Sequence, residues 1–181
     1  MNINVAIIDQ RLVSVMEDIR DKASQELNLR NDETKLKSLA FVYLTVKTLL
    51  DLTPEETFDC LTEGGGDFGI DAIHISDEVD NEFTVTLFQG KYSKDKLEGN
   101  ANFSENAIKQ MIHAIRYLFD PSASLKNVNR RLQIKVEETR ALIRDGYIPQ
   151  VRAIACNNGL TWNKSAEQEI KRAFKSQVEF E

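Results

Sequence analysis

The sequence predicts a layered α/β (α+β) domain in which helices flank a small mixed β-sheet. Two observations support this fold class: an apolar β-hairpin stands near the middle of the chain, and helical and strand-like segments surround it. Their order is helices, hairpin, helices, strand, helix, strand, which is typical of a sheet covered by helices. With 181 residues, the chain is long enough for one domain with a sizeable core.

Three helices are predicted before the hairpin. Apolar residues recur at three- and four-residue spacing over residues 5–27, as they do along one face of an amphipathic helix. A second and more apolar helix is expected from Asn31 or Asp32, either of which is a good N-cap, to about Leu50. Residues 53–56, Thr-Pro-Glu-Glu, predict a short third helix with a capping box and proline in its first turn.

The hairpin is predicted from two apolar arms, residues 69–75 and 83–91, which a polar and acidic loop joins. Side chains alternate between the two faces of a strand. A loop centred near Asp80 then gives three cross-strand pairs: Ile75 with Val85, Ile73 with Leu87, and Asp71 with Gln89.

Lys91 would lie diagonally across the hairpin from Asp71. The separation expected for such diagonal neighbours is roughly 7–8 Å between Cα atoms, which a long side chain can span. An anion, the amide oxygen of Gln89 and an ammonium group would therefore converge at one end of the hairpin. Such a group of side chains is a plausible metal-and-water site.

Further helices and strands are predicted after the hairpin. The expected ranges are 104–119 and 125–144 for two helices, 148–156 for a strand and 165–175 for a last helix. Gly146 suits a left-handed C-cap for the second of these helices. Residues 177–181 are typical of the start of another strand. Because the sequence stops where an element begins, we expect it to be the N-terminal part of a longer protein.

Composition favours a cytoplasmic protein without a membrane partner. The chain is 41% hydrophobic and 29% charged, contains no apolar run of roughly 18 residues and begins without a secretory signal. Cys60 and Cys156 are expected to be reduced thiols, and His74 and His113 do not suffice for a zinc site of the usual kind.

The formal net charge of −6 argues against a domain that clamps nucleic acid by broad phosphate neutralisation. A local basic patch is still compatible with this charge. Two groups of basic residues are candidates for such a patch: Lys91, Lys94 and Lys96, and Arg130, Arg131 and Lys135.

Two motifs resemble those of a known nuclease family. Residues 64–71, Gly-Gly-Gly-Asp-Phe-Gly-Ile-Asp, precede one apolar strand, and residues 88–91, Phe-Gln-Gly-Lys, end the other. This pattern resembles the PD-(D/E)XK nuclease superfamily, and most closely the Mrr-like restriction nucleases, in which Gly-Ile-Asp precedes Gln-x-Lys. The order of elements also resembles the N-terminal domain of abortive-infection phage-resistance (AIPR) proteins. The resemblance covers about residues 32–181 and implies a restriction-endonuclease-like core.

The resemblance implies roles for individual residues. Asp71 matches the metal-binding aspartate of the superfamily and Lys91 its lysine, whereas Gln89 stands where Asp or Glu is usual. The oxygens of Asp71 and Gln89 and the backbone carbonyl of Gly90 are hard ligands that suit Mg²⁺ or Mn²⁺. Lys91 would hold the attacking water or stabilise developing charge. The neutral amide of Gln89 should weaken metal binding.

A glutamate from the preceding helix often completes such sites. Glu33, at the start of the second predicted helix, is the candidate for this fourth catalytic and metal-binding position. Glu56 and Glu63 are alternatives, although a capping role and a loop position would also explain them. His113 lies between apolar positions of a helix and is expected to be structural.

The function that follows from the resemblance is metal-dependent hydrolysis of phosphodiesters in nucleic acid, with DNA favoured over RNA. The chain would then be the Mg²⁺-dependent endonuclease domain of a prokaryotic anti-phage or restriction system. The alternative is a catalytically degenerate nuclease fold that binds nucleic acid or protein, or oligomerises. Residues 1–31 would form a separate amphipathic helix for packing or oligomerisation, and a homodimer through these helices is a further hypothesis.

Overall fold

Helices cover both faces of a small mixed sheet. The structure is a computed structural model that describes residues 3–29, 32–93, 105–158 and 164–178. These residues form six helices and three strands. The helices are α1 (Ile3–Glu26), α2 (Glu33–Leu50), α3 (Pro54–Asp59), α4 (Glu105–Phe119), α5 (Arg130–Arg144) and α6 (Lys164–Val178). The strands are β1 (Ala72–Ile75), β2 (Glu82–Lys91) and β3 (Ile148–Asn157). The predicted layered α/β class with a small mixed sheet is confirmed.

The sheet has the order β1-β2-β3, with β2 in the centre. β1 and β2 are antiparallel, and two of the three predicted pairs, Ile75 with Val85 and Ile73 with Leu87, occur as expected. β2 and β3 are parallel, so a long crossover that contains α4 and α5 connects them. Asp80 and Asn81 have positive φ in the hairpin loop, which agrees with a turn centred there.

Successive residues of β2 enter two different cores. Phe88 belongs to a core that α1, α2 and α3 cover, whereas Leu87 belongs to a core on the other face, beneath α4 and α5. By the same alternation Gln89 and Lys91 face α4, and Gly90 faces α2. A Cβ at Gly90 would lie only 2.6 Å from Cγ2 of Val42, so the close approach of α2 requires glycine there.

The apolar stripe of α1 is buried inside the chain. Leu12, Met16, Ile19 and Ala23 belong to the same core as α2. This intramolecular packing accounts for the amphipathic pattern of residues 5–27. The homodimer through these helices stays a prediction.

Local signals explain several of the helix boundaries. Asp32 accepts a hydrogen bond from the Lys35 amide at the start of α2, and Thr53 and Glu56 form the predicted capping box of α3. Gly146 has the left-handed φ of +97° that was expected after α5.

Two predicted boundaries are wrong. The fifth helix begins at Arg130 rather than near residue 125, because the side chain of Asn129 accepts a hydrogen bond from the Leu132 amide and caps it there. α6 continues to Val178, so residues 177 and 178 are helical rather than the start of a strand. Residues 94–104, 159–163 and 179–181, which include Lys94, Lys96 and Trp162, lie outside the described part of the chain.

Arg131 has a structural role and does not contribute to a basic patch. Its guanidinium donates to the carbonyls of Leu61 and Phe58 at 2.7 and 2.8 Å and to Glu26 at 2.9 Å. This side chain therefore joins α5 to the end of α3 and to α1. Of the helices in the described ranges, none combines the length and apolar character needed to cross a membrane.

Candidate functional site

A cavity of about 800 Å³ lies between the open end of the hairpin and α4. Asp71, Gln89 and Lys91 all line it, so the structure brings together the three hairpin residues that the sequence singled out. The other lining residues come from the turn before β1 and from α4: Asp67, Phe68, Gly69, Asn106, Lys109, Gln110 and His113.

Asp71 is anchored across the hairpin. Its backbone amide donates to the Phe88 carbonyl at 2.8 Å, and one of its carboxylate oxygens accepts a hydrogen bond from the Gly90 amide at 2.6 Å. Burial raises the pKa of the Asp71 carboxyl to about 7, and the negative charges of Glu63 and Asp67 act in the same direction. The Gly90 amide and the charge of Lys91 oppose this pKa shift.

Gln89 is buried, with 1% of its surface exposed, and its Oε1 atom has no hydrogen-bond partner. Burying an amide oxygen without a hydrogen-bond donor costs roughly 1–3 kcal/mol of stability. An electropositive group next to this atom would offset that cost. Gly69 makes room for the amide, since a Cβ at that position would lie 2.9 Å from Nε2 of Gln89. The orientation of Gln89 therefore depends on the turn that precedes β1.

Lys91 is exposed at the end of β2. Its positive charge opposes the rise in the carboxyl pKa values of Glu63, Asp67 and Asp71. For both Glu63 and Asp67, burial is the main cause of a raised carboxyl pKa.

The structure does not bring Glu33 to this cavity. Its exposed carboxylate forms an ion pair with Arg20 of α1, and this hydrogen bond lowers the pKa of Glu33. Glu56 is occupied by the capping box with Thr53. Of the three candidate glutamates, Glu63 is the one whose charge acts on Asp71 and raises its pKa, but it is not among the residues that line the cavity.

The donor set of the cavity is oxygen-rich but not strongly anionic. Within the described ranges, no three His, Cys, Asp or Glu side chains form a group that could hold a metal ion. Amide oxygens are further potential ligands, and the unpartnered Oε1 of Gln89 is one. The Gly90 amide, which the sequence did not single out, orients Asp71, while a ligand role for the Gly90 carbonyl stays a prediction.

The contribution of α4 was missed from the sequence. Asn106, Lys109, Gln110 and His113 form one wall of the cavity and lie at helical spacing opposite the apolar stripe. His113 is exposed and lines the cavity rather than packing among the apolar residues of the helix. The polar face of α4 could have been found from its periodicity, but the element that this face meets could not.

The geometry of this cavity is the basis for a functional assignment. No protein-family model matches the chain, and neither a curated protein nor a solved structure matches it.

Proposed function

We propose that the chain is a metal-dependent nuclease domain with the restriction-endonuclease-like core that its motifs imply. It would act on nucleic acid in the cytoplasm as part of a prokaryotic anti-phage or restriction system. The observation that carries this proposal concerns Gln89, whose buried Oε1 lacks a partner and which lines the same cavity as Asp71 and Lys91. An oxygen acceptor, a carboxylate and an ammonium group around one cavity suit a phosphodiester and a cation.

The residues present fit a divalent cation with hard oxygen ligands. Asp71 offers a carboxylate oxygen and Gln89 an amide oxygen, and such ligands are typical for Mg²⁺ and Mn²⁺. A positive charge at this place would also offset the burial that raises the pKa of Asp71. Bound there, the ion would supply charge neutralisation for a phosphate and a more acidic water.

Lys91 would contribute directly to the chemistry. Hydrolysis adds one water across one P–O bond, and negative charge develops on the phosphoryl and leaving oxygens. The ammonium group of Lys91 lines the cavity and can donate to these oxygens or to the attacking water. Gly90 would hold Asp71 in a fixed orientation through its 2.6 Å hydrogen bond.

Cleavage assays test this proposal. Plasmid DNA, single-stranded DNA and RNA are incubated at low salt with Mg²⁺ or Mn²⁺, using wild type, Asp71→Asn and Lys91→Ala. Asp21→Asn on α1 and Lys47→Ala on α2 make the same kinds of change at exposed positions and serve as matched controls. Loss of cleavage in the first pair alone, with all variants folded, is the expected result. Undiminished cleavage by Asp71→Asn would contradict the proposal.

A second candidate is a degenerate nuclease fold that binds nucleic acid or a protein without cleaving it. The neutral Gln89 and the lack of a three-member metal-binding group within the described residues favour this candidate. Metal binding distinguishes the two functions. A nuclease should gain thermal stability from Mn²⁺ in a manner that Asp71→Asn abolishes, whereas a degenerate domain should gain none.

A further inference from the structure

The outer face of α4 carries a stripe of basic side chains that extends away from the cavity. Lys109, His113 and Arg116 are spaced by four and three residues, so they lie on one side of the helix, and all three are exposed. Lys109 and His113 line the site cavity, and the same two residues line a neighbouring cavity of about 270 Å³ with Arg116 and Arg172. The stripe therefore extends about 10 Å along α4 and continues onto α6.

The acids along this stripe are held in exposed ion pairs. Glu105 pairs with Lys109 within α4, and Glu169 pairs with Arg172 at 3.0 Å within α6. Exposed pairs of this kind contribute little stability, so a phosphate can replace either carboxylate at small cost. Positive charge thus remains available along the face that begins at the candidate site.

Aromatic rings lie beside the basic stripe. Phe68 lines the cavity and stacks on Tyr117 of α4 with ring centroids 5.0 Å apart and planes inclined by 18°. The ring of His113 is also nearly parallel to that of Tyr117, at a centroid distance of 6.4 Å. Aromatic faces next to basic side chains are the usual components of a surface on which unpaired bases stack.

The backbone at Phe68 is in a conformation that bulky residues rarely adopt. Its φ is +56°, in the left-handed region. The turn is fixed by Asp67, whose carboxylate accepts from the Gly69 amide at 2.8 Å and whose carbonyl accepts from the Ile70 amide at 2.9 Å. Strained positions of this kind tend to be found at functional sites, and here the strain accompanies an aromatic ring that faces the cavity.

We propose that the site takes single-stranded nucleic acid, with an unpaired base against Phe68 and the phosphate backbone along Lys109, His113 and Arg116. This inference rests on the proposed function, because it names the substrate class of the same cavity. A narrow stripe on a chain of net charge −6 suits one strand better than a duplex, which needs wider phosphate neutralisation. In a duplex the base faces are also covered by their neighbours.

Binding measurements in EDTA test the inference without cleavage. Fluorescence anisotropy at low salt compares labelled oligo-dT, oligo-U and a dA–dT duplex of the same length. We expect at least one of the two single strands to bind about tenfold more tightly than the duplex. The double variant Lys109→Gln/Arg116→Gln should lose about tenfold in affinity for that strand and show a smaller salt dependence.

Phe68→Gly tests the stacking contribution, since glycine accepts the backbone conformation at this position. It should weaken single-strand binding about fivefold with unchanged salt dependence, and Phe68→Trp should preserve binding. The matched control is Lys47→Gln/Arg144→Gln, which removes two exposed positive charges elsewhere and should leave the affinity unchanged.

Three results would overturn the inference: equal or tighter binding of the duplex, no binding of either single strand, or equal losses in the stripe and control variants. These failures are distinct from failure of the proposed function. Cleavage of duplex DNA that depends on Asp71, without a preference for single strands, would retain the nuclease and remove the inference. Single-strand binding that depends on the stripe, without metal-dependent cleavage, would do the reverse.

Discussion

The backbone amide of Gly90 donates a hydrogen bond of 2.6 Å to Oδ2 of Asp71, so the carboxylate is oriented by the opposite strand of the hairpin. The same glycine faces α2, where a Cβ would lie 2.6 Å from Val42. The position of Asp71 is thereby linked to the packing of α2 on the sheet. A mobile surface carboxylate would lack both the fixed orientation and the partial burial of this one.

We expect the metal-free protein to lose stability as the pH rises from about 4 to about 7. The pKa of Asp71 is raised from 3.8 to about 7 in the folded state, so between these values the folded protein holds a proton that the unfolded chain has released. Stability contributed by this group is therefore present below about pH 4 and lost as the pH approaches 7.

The variant Asp71→Asn should remove this loss. Its free energy of unfolding relative to wild type should rise by about 3 kcal/mol at most between about pH 5 and about pH 8. Urea denaturation in EDTA measures this difference, and Asp21→Asn on the exposed face of α1 should show none. A wild-type protein that becomes more stable relative to Asp71→Asn as the pH rises would refute the raised pKa.

Gln89→Glu should lower the stability of the metal-free protein and raise its affinity for Mn²⁺. A carboxylate at this buried position adds a second negative charge beside Asp71, which should cost a few kcal/mol at about pH 8 in EDTA. With Mn²⁺ the same charge becomes a ligand, and the affinity should increase about tenfold. Thermal unfolding over a Mn²⁺ titration reports both effects.

The matched control for this exchange is Gln89→Met, which keeps a similar volume but removes the buried oxygen. It should abolish stabilisation by Mn²⁺, because it removes the Oε1 atom that has no hydrogen-bond partner in the protein. Equal Mn²⁺ affinity in wild type and Gln89→Met would exclude the amide oxygen as a ligand.

Gly69→Ala should disturb the site more than the fold. The residue has φ +76°, and a Cβ would lie 2.9 Å from Nε2 of Gln89 and 3.5 Å from Oε1 of Gln110. We expect a loss of about 1–2 kcal/mol in unfolding free energy and weaker Mn²⁺ binding as Gln89 is displaced. Gly65→Ala, where a Cβ meets no atom within 4 Å, should change both by little. Equal effects of the two variants would contradict the packing of Gly69 on Gln89.

The hairpin and its register could be predicted because they depend on local signals. The strand period and the polar loop determine which residues pair, and Ile75 lies opposite Val85 as expected. Placing Asp71, Gln89 and Lys91 at one end of the hairpin needed nothing beyond this register. The boundary of α5 was missed because the cap at Asn129 competes with a helical pattern that begins earlier.

The sequence did not determine the contacts between distant segments. Glu33 was chosen by its place in the chain, but the packing of α1 on α2 gives it Arg20 as a partner. The wall that Gln110 and His113 form depends on how α4 lies across the sheet, which periodicity does not determine. Arg131 resembled a surface charge because its acceptors are carbonyls far away in sequence.

Arg131 should be among the most important polar residues for stability. Its guanidinium satisfies the carbonyls of Leu61 and Phe58 and lies over the Phe58 ring at 5.4 Å. Arg131→Met removes the guanidinium donor from both carbonyls, and although the Phe58 carbonyl keeps the Leu61 amide at 3.1 Å, the change should cost about 1–3 kcal/mol. Arg131→Lys should recover only part of this loss, because an ammonium cannot reproduce the fork of the guanidinium.

Urea denaturation measures the stability of both variants. The control Arg130→Met, at the exposed neighbouring position, should change stability by less than about 0.5 kcal/mol. Equal losses at positions 130 and 131 would show that charge, and not this set of hydrogen bonds, determines the effect.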